Sequence, residues 1–251
     1  MVSWSIKRRF IYGGSFILVI AFIAAGLFWR VFYRTPTCSD GVKNGDETGV
    51  DCGGSCLKLC TSDALKPVVL WAKIFNISGD VYTAVAFVQN PNINSKNTKA
   101  GYQFKIFDAN NKLITIKEGT TSIPKNKKFA IFETGIILKN QKPKSAELNF
   151  TSFSPWEKDT TKEPQISLSH SELLATTTSP RITGTILNSS LEDVSEVRIT
   201  VFVFDKDENV IAASETFVDS LKSRTSQDFV FTWPRSFERD ASVVTVMYRF
   251  P

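Results

Sequence analysis

From residue 68 onward the chain carries one pattern twice, and that repeat limits the fold more than any other feature. Asn90 and Asn188 lie 98 residues apart, as do Ile123 and Leu221, and Asp108 and Asp205 lie 97 apart. "YQFKIFDANNKLI" (102–114) recurs as "ITVFVFDKDENVI" (199–211). "TTSIPKNKKFAIFE" (120–133) recurs as "FVDSLKSRTSQDFVF" (217–231). "VVLWAKI" (68–74) falls 98 residues before "ISLSHSE" (166–172). An offset held this closely calls for two copies of one domain.

Each copy is a series of short Val-, Ile-, Phe- and Thr-rich runs bounded by Asn, Asp, Gly and Pro, with no helical period. About seven strand signals in about 90 residues is the size of an immunoglobulin-like sandwich. The expected fold is all-β: two tandem immunoglobulin-like sandwiches, 66–155 and 165–251, joined by a linker at 156–164. Phe202 and Phe204 should face one side of their strand and Val201 and Val203 the other. A strand apolar on both faces belongs at the centre of a sheet. Asp108 and Asp205 end matching strands, and turn capping is the simplest role for them.

Ahead of the repeats, residues 10–29, "FIYGGSFILVIAFIAAGLFW", contain no charge. Twenty helical residues rise about 30 Å, the thickness of the hydrocarbon core. Lys7, Arg8 and Arg9 precede this run and Arg30 and Arg34 follow it, with Trp4, Tyr12, Trp29 and Tyr33 near its ends. This pattern predicts an uncleaved signal-anchor, a single-pass transmembrane helix with residues 1–9 in the cytoplasm and everything after it extracytoplasmic. The rival is a signal peptide cleaved after Ala24-Ala25-Gly26, which would start the mature chain at Leu27.

Residues 30–65 form a juxtamembrane neck that holds all four cysteines: Cys38, Cys52, Cys56 and Cys60. An even count on the oxidising side of a membrane, in a segment too small for its own core, points to two disulfides rather than zinc or iron–sulfur. Of three pairings, Cys38–Cys56 with Cys52–Cys60 avoids the very small loops that joining Cys56 to Cys52 or Cys60 would close. Asp40, Asn44, Asp46, Glu47 and Asp51 fall in the same run. They read either as turn formers or as oxygen ligands for calcium, although their spacing is not that of an EF-hand.

Two resemblances follow from these residues. An Asn, then an aromatic-x-aromatic-Asp strand end, a polar turn and a Leu or Ile resembles the FxLyD-type domain. "FVFDKDENVI" (202–211) and "FKIFDANNKLI" (104–114) carry the motif, with Phe204 and Phe107 in place of its Tyr. "VQNPN" (88–92) is similar to the late-embryogenesis-abundant-like β-sandwich. The resemblance implies an extracytoplasmic interaction module and carries no catalytic residues. The neck resembles a short motif of bacterial and archaeal surface proteins, here Cys38, Asp40-Gly41, Asn44-Gly45, Glu47, Asp51-Cys52-Gly53-Gly54 and Cys56.

Composition argues against catalysis. The chain has one histidine, His170, in a polar run that reads as a turn or surface position. No Walker loop, dinucleotide fingerprint, HExxH or GxSxG occurs, and no nucleic-acid pattern is present. Trp71, Trp156 and Trp233 read as core rather than as sugar-stacking platforms. Asn76, Asn149 and Asn188 begin glycosylation sequons. Residues 67–155 carry 12 Lys against five acids, whereas residues 165–251 carry eight basic and 12 acidic residues. Lys125, Lys127 and Lys128 are therefore the first candidates for an anionic partner. The expectation is a non-enzymatic surface protein without a required cofactor, binding another envelope protein or polymer. The alternative is an accessory structural subunit of an envelope-assembly or secretion complex.

Overall fold

The computed structural model describes residues 4–32, 37–174 and 178–250. The chain divides into two compact units, 1–56 and 57–251.

The first unit opens with helix α1 (Trp4–Phe32). Its sequence contains no Asp, Glu or Pro, so no proline interrupts the backbone ladder and no acid falls within it. From Ile6 to Arg30 it is long and apolar enough to cross a membrane, and none of that span is buried by protein. Phe16, Ile17 and Phe22 are each at least two-thirds exposed. A helix that is apolar all round and uncovered by protein fits a lipid environment. Residues 37–56 are turns stapled by the Cys38–Cys56 disulfide.

The second unit contains two β-sandwiches of the same topology. The first is built from β1 (Val68–Ser78), β2 (Val81–Gln89), β3 (Ser95–Phe107), β4 (Leu113–Ile123), β5 (Lys128–Ile137), β6 (Ser145–Phe153) and the short β7 (Trp156–Lys158). One sheet runs β1-β2-β5 and the other β4-β3-β6, all antiparallel. The second sandwich is built from β8 (Ile166–Leu174), β9 (Arg181–Asn188), β10 (Val194–Phe204), β11 (Val210–Leu221), β12 (Ser226–Thr232) and β13 (Val243–Arg249). Its sheets run β8-β9-β12 and β11-β10-β13, the same order strand for strand. Each copy has six strands, three against three, where about seven were expected, and only the first adds a seventh, β7. β7 lies at the start of the expected linker. Pro155 separates it from β6, and it pairs with Ser95–Asn97 of β3 while Trp156 enters the first core.

Period-two alternation builds each core. Ala100, Tyr102, Phe104 and Ile106 of β3 point into the first core, as do Ala84, Ala86 and Val88 of β2. Val197, Ile199, Val201 and Val203 of β10 point into the second. The opposite faces of β2 and β10 are also apolar, and they meet each other. Val85 and Phe87 of β2, Trp71 and Phe75 of β1, and Ala130 and Phe132 of β5 pack against Phe202, Phe204, Val210, Ala213 and Met247. The two sandwiches therefore share a third core, with sheet β1-β2-β5 facing sheet β11-β10-β13. Fully burying side chains of this size contributes roughly 1.5–3 kcal/mol each. A bulge between Val69 and Trp71 changes the parity of β1. It sends Val69 to the first core and Trp71 to the seam.

Candidate functional site

The neck is a small lattice of carboxylates and backbone amides. Asp40 accepts hydrogen bonds from the Val42 N–H (2.9 Å), the Asn44 side-chain amide (2.8 Å) and the Thr37 N–H (3.3 Å). Those donors, Asn44 first, hold its carboxyl below the usual range. Both Asp51 oxygens accept from the Gly41 N–H. Glu47 Oε2 accepts from the N–H groups of Asn44 and Asp51, and Asp46 accepts from the Ser55 hydroxyl. Asp40 and Glu47 thus close local turns, and Asp46 and Asp51 tie the loop to residues nine and ten positions away. No three of them bring oxygens together among the described residues. The one close group joins Glu47 to Cys38 and Cys56, whose sulfurs are bonded to each other and offer no thiolate. Asn44 Oδ1 is buried without a partner.

Cys52 and Cys60 form the second disulfide, which completes the pairing preferred from loop size. The glycines of "DCGG" have steric causes. Gly53 and Gly54 have φ of 78° and 51°. A Cβ on Gly53 would sit 1.8 Å from Thr48 Oγ1, and one on Gly54 2.0 Å from the Asp46 carbonyl oxygen. Only glycine fits where the loop crosses itself.

Two of the three candidate lysines are engaged within the chain. Lys125 is only 15% exposed at its side chain and donates to Asp159 Oδ1 (3.2 Å), the Asp159 carbonyl (3.1 Å) and the Thr161 carbonyl. Lys96 reaches the other Asp159 oxygen at 3.3 Å. Burial opposes ionisation of Asp159, but the Thr161 hydroxyl and N–H and the two ammonium groups outweigh it and hold the carboxyl well below its usual range. Lys127 pairs with Glu163 at 2.8 Å and lies 5.2 and 5.1 Å from the rings of Tyr248 and Phe250. Lys128 is exposed on β5. Two of the three candidate lysines therefore strap the linker and the second sandwich to the first. Asp159 and Glu163 were legible as a mixed-charge linker, but their lysine partners lie more than 30 residues away in sequence.

The repeated residues make matching bonds. The Asn90 side-chain amide donates to the carbonyls of Ser95 and Pro124. The Asn188 amide donates to those of Glu192, Leu221 and Lys222. Asp108 Oδ1 accepts from the N–H groups of Asn110 and Lys112, and Asp205 Oδ1 from those of Asp207 and Asn209. Asn111 and Glu208 take the left-handed position three residues on, at φ 58° and 59°. Asp205 alone adds an ion pair, to Arg239 at 2.8 Å. That bond, with Asn209, lowers its pKa to about 2 despite burial.

Among the tryptophans, Trp156 and Trp233 pack with the two cores and Trp71 with the seam. Asn188 is fully buried, and Asn76 and Asn149 are exposed. His170 falls within β8, and its side chain lies outside the described residues. Arg249 is buried at the seam. It donates to the Thr121 hydroxyl (3.3 Å) and the Ser122 carbonyl (3.4 Å), and its Nε has no partner. Sequence reasoning missed this residue, because a terminal arginine reads as surface.

No family model and no curated protein matches the sequence. Among solved structures, the chain is similar to red sea bream transglutaminase at 10% identity and a TM-score of 0.23, over 73% of this chain and 31% of that one. It is also similar to a β-glucuronidase of glycoside hydrolase family 2 at 10% identity and a TM-score of 0.20, over 80% and 25%. The chain thus spans less than a third of the length of either protein.

Proposed function

We propose that this chain is a single-pass, membrane-anchored, non-enzymatic protein that holds a rigid pair of immunoglobulin-like domains outside the membrane to bind another envelope protein or polymer. The observation that carries the reading is α1, apolar on every side and covered by nothing, on a chain whose other large unit is two sandwiches. Two disulfides support an oxidising location for the neck. The matching Asn and Asp geometries support a duplicated domain, and the turns at Asp108 and Asp205 fit the FxLyD-type resemblance. The seam makes the pair one body, so a ligand meets a fixed surface rather than two tethered modules.

Alkaline extraction with external protease tests the anchor. The chain should stay in the membrane pellet, with residues beyond 37 cleavable from outside. Release into the supernatant, or a mature chain starting at Leu27, removes the reading.

A second reading, the accessory subunit, is favoured by β13. It forms one edge of its sheet and reads "VVTVMYR", with no acid or proline to blunt it. Such an edge accepts a partner strand. Size in detergent separates the two: a defined large assembly supports the subunit, a monomer the first reading.

A further inference from the structure

The paired sandwiches lie side by side with like ends together. At one end Lys127 of the first meets Tyr248 and Phe250 of the second. At the other, Arg235 of the second donates to the Asn76 side chain and to the Ile77 carbonyl. The chain enters this unit at the first of these ends. The Leu65 N–H donates to Asn92 Oδ1 at 2.9 Å, and the Asn92 amide returns a bond to the Leu65 carbonyl at 2.8 Å.

That entry end has two properties. First, it displays aliphatic side chains in its loops: Leu65 is 60% exposed, Ile93 67% and Leu191 74%, whereas the exposed aliphatics of the far end, Leu113 at 44%, Ile137 at 64% and Val243 at 54%, lie on strand ends. Ile93 and Leu191 hold the same place, three residues after buried Asn90 and Asn188. Secondly, it is basic. Its segments 57–66, 90–99, 122–128, 156–165, 188–195 and 222–226 hold eleven Lys or Arg and six Asp or Glu. The far-end segments 77–81, 107–113, 138–145, 205–210 and 233–243 hold seven of each. Lys96, Lys125 and Lys127 are held in the ion pairs described above, whereas Lys58, Lys66, Lys99, Lys128, Lys162 and Arg224 are exposed.

We propose that the entry end of the paired sandwiches docks on an anionic lipid surface, namely the bilayer that α1 crosses. Ile93, Leu191 and Leu65 enter the headgroup region, and the surrounding lysines sit against lipid phosphates. This rests on the anchor reading above. Polybasic segments beside aliphatic side chains bind anionic bilayers by these two terms together. The tether keeps the docking surface near the membrane at an effective concentration on the order of millimolar, so weak intrinsic binding suffices. Docking at this end would turn the far end, with Asp205 and Arg239, away from the membrane as the presented surface.

The test uses the full chain in nanodiscs containing anionic lipid, with a photoreactive residue at position 93, 191 or 137. Ile137 is 64% exposed and sits at the far end, opposite Val81. Lipid adducts should form at 93 and 191 with several-fold greater yield than at 137. Equal yields at all three positions would overturn the proposal. So would protein adducts in place of lipid adducts at 93 and 191 in native membranes, which would show that a protein partner occupies this end. Failure of the anchor is read separately, by release in alkali. A chain that stays in the disc yet gives no lipid adduct at 93 or 191 sinks the docking alone.

Discussion

Trp71 and Phe202 meet edge to face across the seam, ring centroids 5.0 Å apart, with Phe87 completing the cluster at 5.8 and 5.2 Å. Two residues 131 positions apart in sequence thereby make one body of two domains.

Phe202 is 1% exposed, so Phe202→Ala should cost about 3–5 kcal/mol. A double-mutant cycle with Trp71→Ala should show about 0.5–1.5 kcal/mol of coupling. Denaturant unfolding of the wild type should be a single transition for both sandwiches. A coupling of zero, or two resolved transitions in the wild type, would contradict the shared core.

Asp205 has a folded-state pKa of about 2, against about 3.9 for an unfolded Asp. A depressed carboxylate stabilises fully above the unfolded value, and its contribution disappears as pH falls through the folded one. Asp159 is shifted in the same direction. The stability gap between wild type and Asp205→Asn should be widest near pH 6 and narrow steadily from pH 4 to pH 2. Urea midpoints across that range measure it, and a gap independent of pH would refute the assignment.

Lys125 and Lys127 tie the linker and the second sandwich to the first, so their substitution is a structural change. Lys125→Ala should destabilise by about 1.5–3 kcal/mol, the range for hydrogen bonds to charged groups. Lys128→Glu should change stability by less than about 0.5 kcal/mol. Thermal melts of both variants check this. Loss of a binding partner should therefore be sought with Lys128→Glu alone, because a combined change would also loosen the seam.

In the neck, Gly54→Ala should be worse than Gly53→Ala. The first meets a backbone carbonyl, and the second meets mainly the Thr48 side chain, which can rotate. Gly41→Ala, with φ of 74° but open space around it, should cost only the left-handed strain of about 1 kcal/mol. Peptide mapping under non-reducing conditions should show scrambled pairs for Gly54→Ala and native pairs for Gly41→Ala.

The acids of the neck are held in turns and cross-loop bonds and do not converge, so millimolar calcium should leave the melting temperature of the full chain unchanged. A calcium-dependent rise of several degrees, abolished by Asp40→Asn, would show that the loop rearranges around the ion.

Local physics made part of this molecule legible in advance. The uncharged run at 10–29 is helical, the form in which a single apolar segment satisfies its own backbone groups. The turns after Asp108 and Asp205 follow from what a short carboxylate does to its own backbone. Loop size favoured the disulfide pairing over two others, and the structure chose it. The seam was visible only as a puzzle, in a strand with Phe on one face and Val on the other. A sheet centre explains one buried face, but the second needed another sandwich to cover it. Trp71 points there because of a bulge that alternation alone does not reveal. The lysines of 125–128 looked like a binding surface because their acids belong to a linker far along the chain. Sequence alone made the helix, the strand-forming runs and their turns legible, since each depends on neighbours within a few residues. The tertiary structure decided which faces meet and which charges are spent, because those depend on side chains brought together from tens to more than a hundred residues apart.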